Sequence, residues 1–249
     1  MEIKSHIAAL RREGALFAAV AERTDFAAPI PSCPEWTMRD LVRHICGVHR
    51  WAAASVARCL TVPPSPSEES EFFDSAPADA GLIAWFRAGH AALVQALEQA
   101  PADLACWSFL PAPSPLAFWA RRQAHETAIH RADIECATGG ITPFPPDFAA
   151  DGLDELLLGF ASRPGRLHAE SPGAILLQAV DVERVWHVRM QPEGVEVRLE
   201  PSAAGCTVHA TASDLHLLLW NRRTYDGLEL QGDTSLLDLW RQMVRIRWS

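Results

Sequence analysis

The sequence predicts an α+β fold in two parts, on three observations. Up to Thr138 the chain carries long stretches rich in helix formers, with apolar residues at helical spacing. Gly139 to Phe148 then breaks the pattern, with three prolines and no charge before Asp147. Beyond it come short apolar alternations separated by turn residues, which read as strands. Residues 1–142 are therefore expected to form a helical bundle, and residues 143–249 a small unit of antiparallel sheet with flanking helices.

The first helix is expected from about Ile3 to Ala21, with Ile7, Leu10, Phe17 and Val20 on one face. Three prolines between Pro29 and Pro34 break the chain. Thr37 can then cap a second helix reaching about Cys59, with Asp40 placed to complete a capping box. Leu41, Val42, Ile45 and Val48 form its apolar stripe, and His44 lies beside them. The Pro, Ser and Glu run from Val62 to Glu71 reads as an exposed loop. A third helix is expected over Ala80 to Glu98, with Leu82, Phe86, Leu93 and Leu97 inward, and a fourth over Leu116 to Thr138, stopped by Gly139-Gly140. In the second part a helix near Asp151–Ala161 precedes strands at Ala174–Asp181, Arg184–Met190, Val195–Glu200 and Cys206–Thr211. Ser213 is expected to cap a helix to about Asn221, and Thr234 or Ser235 a last one reaching Val244.

Composition narrows the function classes. The 249 residues are 49% hydrophobic and 21% charged, which is ample core for one large or two ordinary domains. A formal net charge of −9 argues against nucleic acid or an anionic membrane as partner. No long apolar run follows Met1, so neither a signal peptide nor a membrane span is expected, and a cytoplasmic location follows. The six cysteines include no Cys-x-x-Cys pair and read as reduced thiols; Cys46, two residues from His44, should face away from it. A monomer or small homo-oligomer is expected.

Glu126 and His130 stand four apart on the fourth helix and so share a face, where one carboxylate and one imidazole can hold a single metal ion. His125-Glu126 imitates the opening of a His-Glu-x-x-His protease motif. His130 is five residues after His125, however, about 500° of turn, which points the two rings apart. The third ligand is best sought upstream, and His44, at the edge of a buried stripe, is the candidate. Taken singly, His44 reads more readily as a hydrogen-bonded core histidine than as a ligand, and Glu126–His130 as an exposed pair; the combination with Trp36 is what favours a metal site.

Trp36-Thr37, then His44, then Glu126 and His130 on a later helix resemble the mycothiol-dependent maleylpyruvate isomerase family, a branch of the DinB-like four-helix metal proteins. The resemblance implies His44, Glu126 and His130 as metal ligands, a DinB-like N-terminal bundle and a C-terminal domain resembling sterol carrier proteins. It also implies mycothiol as the thiol cofactor or co-substrate, and isomerisation by reversible thiol addition to a double bond. Arg222 resembles the arginine that faces the active site in that family, although Arg223 beside it and simple helix-end solvation compete for the same reading.

From the donors alone, two imidazoles and a carboxylate make an open Lewis-acid site, best suited to Zn2+ but acceptable to nickel, iron or manganese. Arg122, one turn before Glu126, is placed to orient its carboxylate, and Trp119 could line a pocket. The expected partners are a low-molecular-weight thiol and a small electrophile. A metal-dependent hydrolase or lyase without thiol, and a non-enzymatic protein binding metal or an apolar ligand, are the alternatives.

Overall fold

A computed structural model describes residues 1–165 and 167–244, and it divides the chain into two compact units, Met1–Thr142 and Pro143–Ser249. The first unit holds α1 (Ile3–Ala21), a two-stranded ribbon of β1 (Pro29–Ile30) and β2 (Cys33–Thr37), α2 (Met38–Ala57), α3 (Pro66–Asp74), α4 (Asp79–Gln99) and α5 (Pro115–Cys136). Among the described residues no helix is long and apolar enough to cross a membrane.

Helix α2 starts where its cap dictates. The Thr37 side chain accepts from the Asp40 N–H, and Asp40 Oδ2 accepts from the Thr37 N–H at 2.9 Å, so two backbone donors at the helix start are satisfied at once. From that fixed start, Leu41, Val42 and Ile45 fall into a cluster with Phe17 and Val20 of α1, Leu82 and Phe86 of α4 and Ile134 of α5. His44 is thereby held at the edge of the core. Helix α5 differs: nearly every residue from Leu116 to Glu135 is buried, polar and charged ones included. Such a helix shows no apolar stripe and must satisfy its charges internally.

Two expectations for this unit are corrected. The run read as a loop after Val62 contains α3, started by Ser65, whose side chain accepts from the Glu68 N–H while Glu68 Oε2 accepts from the Ser65 N–H at 2.9 Å. Pro66 occupies the first turn, where no amide donor is needed. The proline-rich break is the β1–β2 ribbon, antiparallel, with Pro29 opposite Thr37.

The second unit opens with α6 (Pro146–Asp154), earlier than the expected Asp151, and runs on as a π-helical turn over Glu155–Ala161. Its sheet contains β3 (Gly173–Ala179), β4 (Arg184–Gln191), β5 (Gly194–Arg198), β6 (Cys206–Ala210) and β7 (Glu229–Gly232), ordered β5-β4-β3-β6-β7. The sheet is mixed rather than purely antiparallel. The β4–β5 hairpin lies on one side of β3, so β6 pairs on the other side, parallel to β3, with Leu177 opposite Val208. Helix α7 (Ala212–Leu219) is capped by Thr211, not by Ser213, whose hydroxyl accepts from the Phe144 N–H at 2.9 Å. Helix α8 spans Ser235–Met243. Trp186, Trp240, Leu177 and Leu215 fill the core of this unit.

Candidate functional site

His44 from α2 and Glu126 and His130 from α5 converge, with one ligand atom from each lying within 4.8 Å of the others. His130 Nε2 is 3.1 Å and His44 Nε2 3.6 Å from the same oxygen, Glu126 Oε1. Bonds of about 2.0–2.2 Å in a tetrahedral zinc site put neighbouring ligand atoms roughly 3.3 Å apart. The three side chains therefore fit a divalent ion with little rearrangement.

Glu126 and His130 are fixed from behind. Arg122 Nη2 donates to Glu126 Oε2 at 2.9 Å, which turns Oε1 toward the two imidazoles. His130 Nδ1 meets Asp133 Oδ2 at 2.9 Å, and Asp133 Oδ1 accepts from the Ser32 hydroxyl at 2.5 Å. A carboxylate on the far ring nitrogen sets the tautomer and leaves the other nitrogen for a metal. Asp133, one turn after His130, and Ser32 escaped the sequence reading. The spacing Glu-x-x-x-His-x-x-Asp was the signal for the first; none existed for Ser32, which the β1–β2 ribbon brings in.

Electrostatics follow from burial and these partners. Burial pushes His44 below the usual histidine range and outweighs the pull of Glu126. Burial opposes ionisation of Glu126, yet His130, His44 and Arg122 overcome it and hold the carboxyl well below its usual range. For His130, burial is likewise overcome, here by Asp133 and Glu126, and the imidazolium is stabilised up to about 9. A cation at the triad would replace that proton.

The triad meets a pocket at His44. His44 borders a pocket of about 430 Å³ lined also by Glu35, Trp36, Asp40, Arg43 and Phe73. The Trp36 ring lies 4.9 Å and the Phe73 ring 6.0 Å from the His44 ring, centroid to centroid. Cys46 belongs to the apolar cluster, and burial pushes its thiol up to about 12. It supplies no nucleophile.

The remaining residues singled out in the sequence lie elsewhere. His125 packs edge-on to His6, with ring centroids 6.0 Å apart. His49 is fully buried against Thr127. Trp119 is a core residue whose indole donates to the Trp107 carbonyl, not a pocket wall. In the second unit Arg222, just past α7, donates from Nη1 to the Trp220 carbonyl at 2.7 Å, whereas Arg223 is ion-paired with Asp214.

Comparison with known proteins gives the same direction. Residues 7–135 match the mycothiol maleylpyruvate isomerase N-terminal domain, and residues 147–239 match the MDMPI C-terminal domain. Two solved structures are similar over 93% of this chain and 93% of their own: the mycothiol-dependent maleylpyruvate isomerase, at 14% identity and a TM-score of 0.65, and a histidine-to-alanine mutant of it, at 15% and 0.64. At that identity the likeness is one of fold. No curated protein matches by sequence. With over half its length covered by the N-terminal domain and most of the rest by the C-terminal one, the chain belongs to the mycothiol maleylpyruvate isomerase family.

Proposed function

We propose that this protein is a metal-dependent isomerase or S-transferase that uses a low-molecular-weight thiol, mycothiol in keeping with its family, against a small unsaturated electrophile. The observation that carries this reading is the convergence of His44, Glu126 and His130 within 4.8 Å beside an open pocket. These three would hold the ion, and zinc suits two imidazoles and one carboxylate best. When bound, the ion supplies Lewis acidity that keeps a thiol in its reactive, deprotonated form at neutral pH.

The chain's own residues do the rest. Arg122 and Asp133 fix the facing atoms of Glu126 and His130, so the ligand set is organised before anything binds. Trp36 and Phe73 give the pocket beside His44 aromatic walls, which suit a flat, unsaturated substrate. Cys46 is buried in the core and so is no candidate for the sulfur, and a thiol brought in from outside the chain agrees with the family. Isomerisation by reversible addition consumes no thiol, which leaves as it arrived. Arg222 carries a proposed carboxylate-binding role taken from the family resemblance.

Elemental analysis of wild type, His44→Ala and Glu126→Ala tests the site, with near one metal per chain expected in the first and loss in both variants. Turnover of an electrophilic alkene with mycothiol and with water alone tests the reaction. Equal rates without thiol would reassign the protein to hydrolytic chemistry. Arg222→Ala should lower kcat/KM for acidic substrates and leave metal content unchanged.

A further inference from the structure

We propose that Arg43 is the residue that selects the electrophile, by anchoring the carboxylate of a planar unsaturated acid beside Trp36 and Phe73. This rests on the function proposed above and names the group through which that site recognises its substrate.

Arg43 lines the pocket next to His44, and its Nε is buried without a hydrogen-bond partner among the described residues. The other arginines of α2 are committed. Arg39 is held by both oxygens of Asp79, at 2.7 Å each, and Arg50 donates to the Trp85 carbonyl at 2.7 Å while stacking on the Trp85 ring. Arg43 forms no ion pair among the described residues, although two acids share its pocket. Asp40 spends Oδ2 on the N–H and hydroxyl of Thr37, at 2.9 and 2.6 Å, and Glu35 is exposed to solvent that screens its charge.

A guanidinium offers a planar fork of donors that matches a carboxylate at two points, and a buried donor left unpaired favours any ligand that brings an acceptor. The aromatic walls add the second element of recognition. Trp36 and Phe73 both lie beside the His44 ring and favour flat, conjugated groups over bulky ones. A carboxylate conjugated to a double bond has both features, and anchoring it at Arg43 brings the double bond beside His44.

The test is calorimetric titration of the metal-loaded protein with maleate and with maleamide, its neutral isostere, comparing wild type, Arg43→Met and Arg43→Lys. Wild type should bind maleate at least about tenfold more tightly than maleamide. Arg43→Met should cut that preference several-fold while keeping maleamide affinity and metal content, and Arg43→Lys should keep more of it, because a point charge replaces a two-point fork. A wild type without preference, an Arg43→Met variant that retains it, or equal loss of both ligands would overturn the assignment. Failure of the functional reading shows elsewhere, in metal content and thiol-dependent turnover. A protein inactive with thiol that still prefers maleate through Arg43 would sustain this inference and sink that one.

Discussion

Helix α5 carries two buried polar networks one turn apart, and they are built on opposite plans. Around Arg131 every carboxylate oxygen is answered. Arg131 donates to Glu13 Oε2 at 2.8 Å, Glu135 Oε2 at 2.5 Å and the Thr142 carbonyl at 2.6 Å, while Arg12 takes Glu13 Oε1 and the Thr142 hydroxyl takes Glu135 Oε1. Around Glu126 two imidazoles from different helices crowd one oxygen, and the arrangement opens on a pocket. A closed network of this kind ties α1, α5 and the chain after α5 together. A convergent one invites a cation. The same helix thus carries a closed network on one face and the candidate metal site on another, and substitutions should separate the two.

The largest effect belongs to the closed network. Arg131→Met leaves Glu13 and Glu135 buried without their shared cation, and breaking a buried pair by removing one partner costs about 3–5 kcal/mol. A large drop in the urea midpoint is expected, with metal still bound by whatever fraction stays folded. If Arg131→Met loses metal without losing stability, the two networks are not separate.

Next comes Asp133→Asn. It keeps the shape but weakens the hold on His130 Nδ1, and changes behind a ligand typically cost 10–100-fold in metal affinity, or roughly 1.4–2.7 kcal/mol. Zinc competition with a chelator should show that loss at nearly unchanged urea stability. Asp133→Asn with wild-type affinity would mean that His130 is oriented by packing alone.

A third group on α5, Thr127, gives the pH dependence. Thr127 donates its one proton to the Gln123 carbonyl at 2.7 Å, so His49 Nε2 must donate to Thr127 Oγ1, at 2.9 Å. That leaves His49 Nδ1 as the only place for a second proton, with no partner there among the described residues. Burial first, and His90 nearby, push His49 well below the usual histidine range. The unfolded chain then binds more protons than the folded one below pH about 6.5, so stability falls as pH drops through that value, by up to about 1.4 kcal/mol per unit per group. His44 and His90 shift in the same direction. His49→Phe should therefore reduce the slope of metal-free stability between pH 6.5 and 5 by about one proton without abolishing it. An unchanged slope would place a proton on folded His49.

The contrast also explains what could be read in advance. Glu126 and His130 were legible because four residues on an unbroken helix fix a shared face, and His44 because the Thr37–Asp40 box fixes where α2 begins. Ser32 was not, because its contact with Asp133 spans 101 residues and depends on how a ribbon packs. The face of α5 carrying Arg131 was hidden for another reason: a helix buried all round has no hydrophobic period to read. Helix α3 was missed because its residues look like a solvated loop, and the cap at Ser65 was the overlooked signal. The parallel pairing of β3 with β6 is a matter of connection order, which alternation along single strands does not encode.

The smallest effect on stability should come from the wall of the pocket. Helix α3 buries none of its residues fully, and Phe73 reaches from it over Gly47, one turn beyond His44 on α2, where an added methyl would overlap the ring. Gly47→Ala thus sets two terms against each other. Alanine favours the helix by about 1 kcal/mol over glycine, and displacing Phe73 gives up packing of similar size. Because α3 has no fully buried residue to anchor it, the displacement should be absorbed there and not in the core. The urea midpoint should hardly move and metal content should stay at the wild-type level. Amide hydrogens of α3 should exchange faster, while those of α2 and α5 keep their protection. Faster exchange throughout α2 would mean that Phe73 braces the metal helices themselves, and the pocket wall would then belong with the closed network in its energetics.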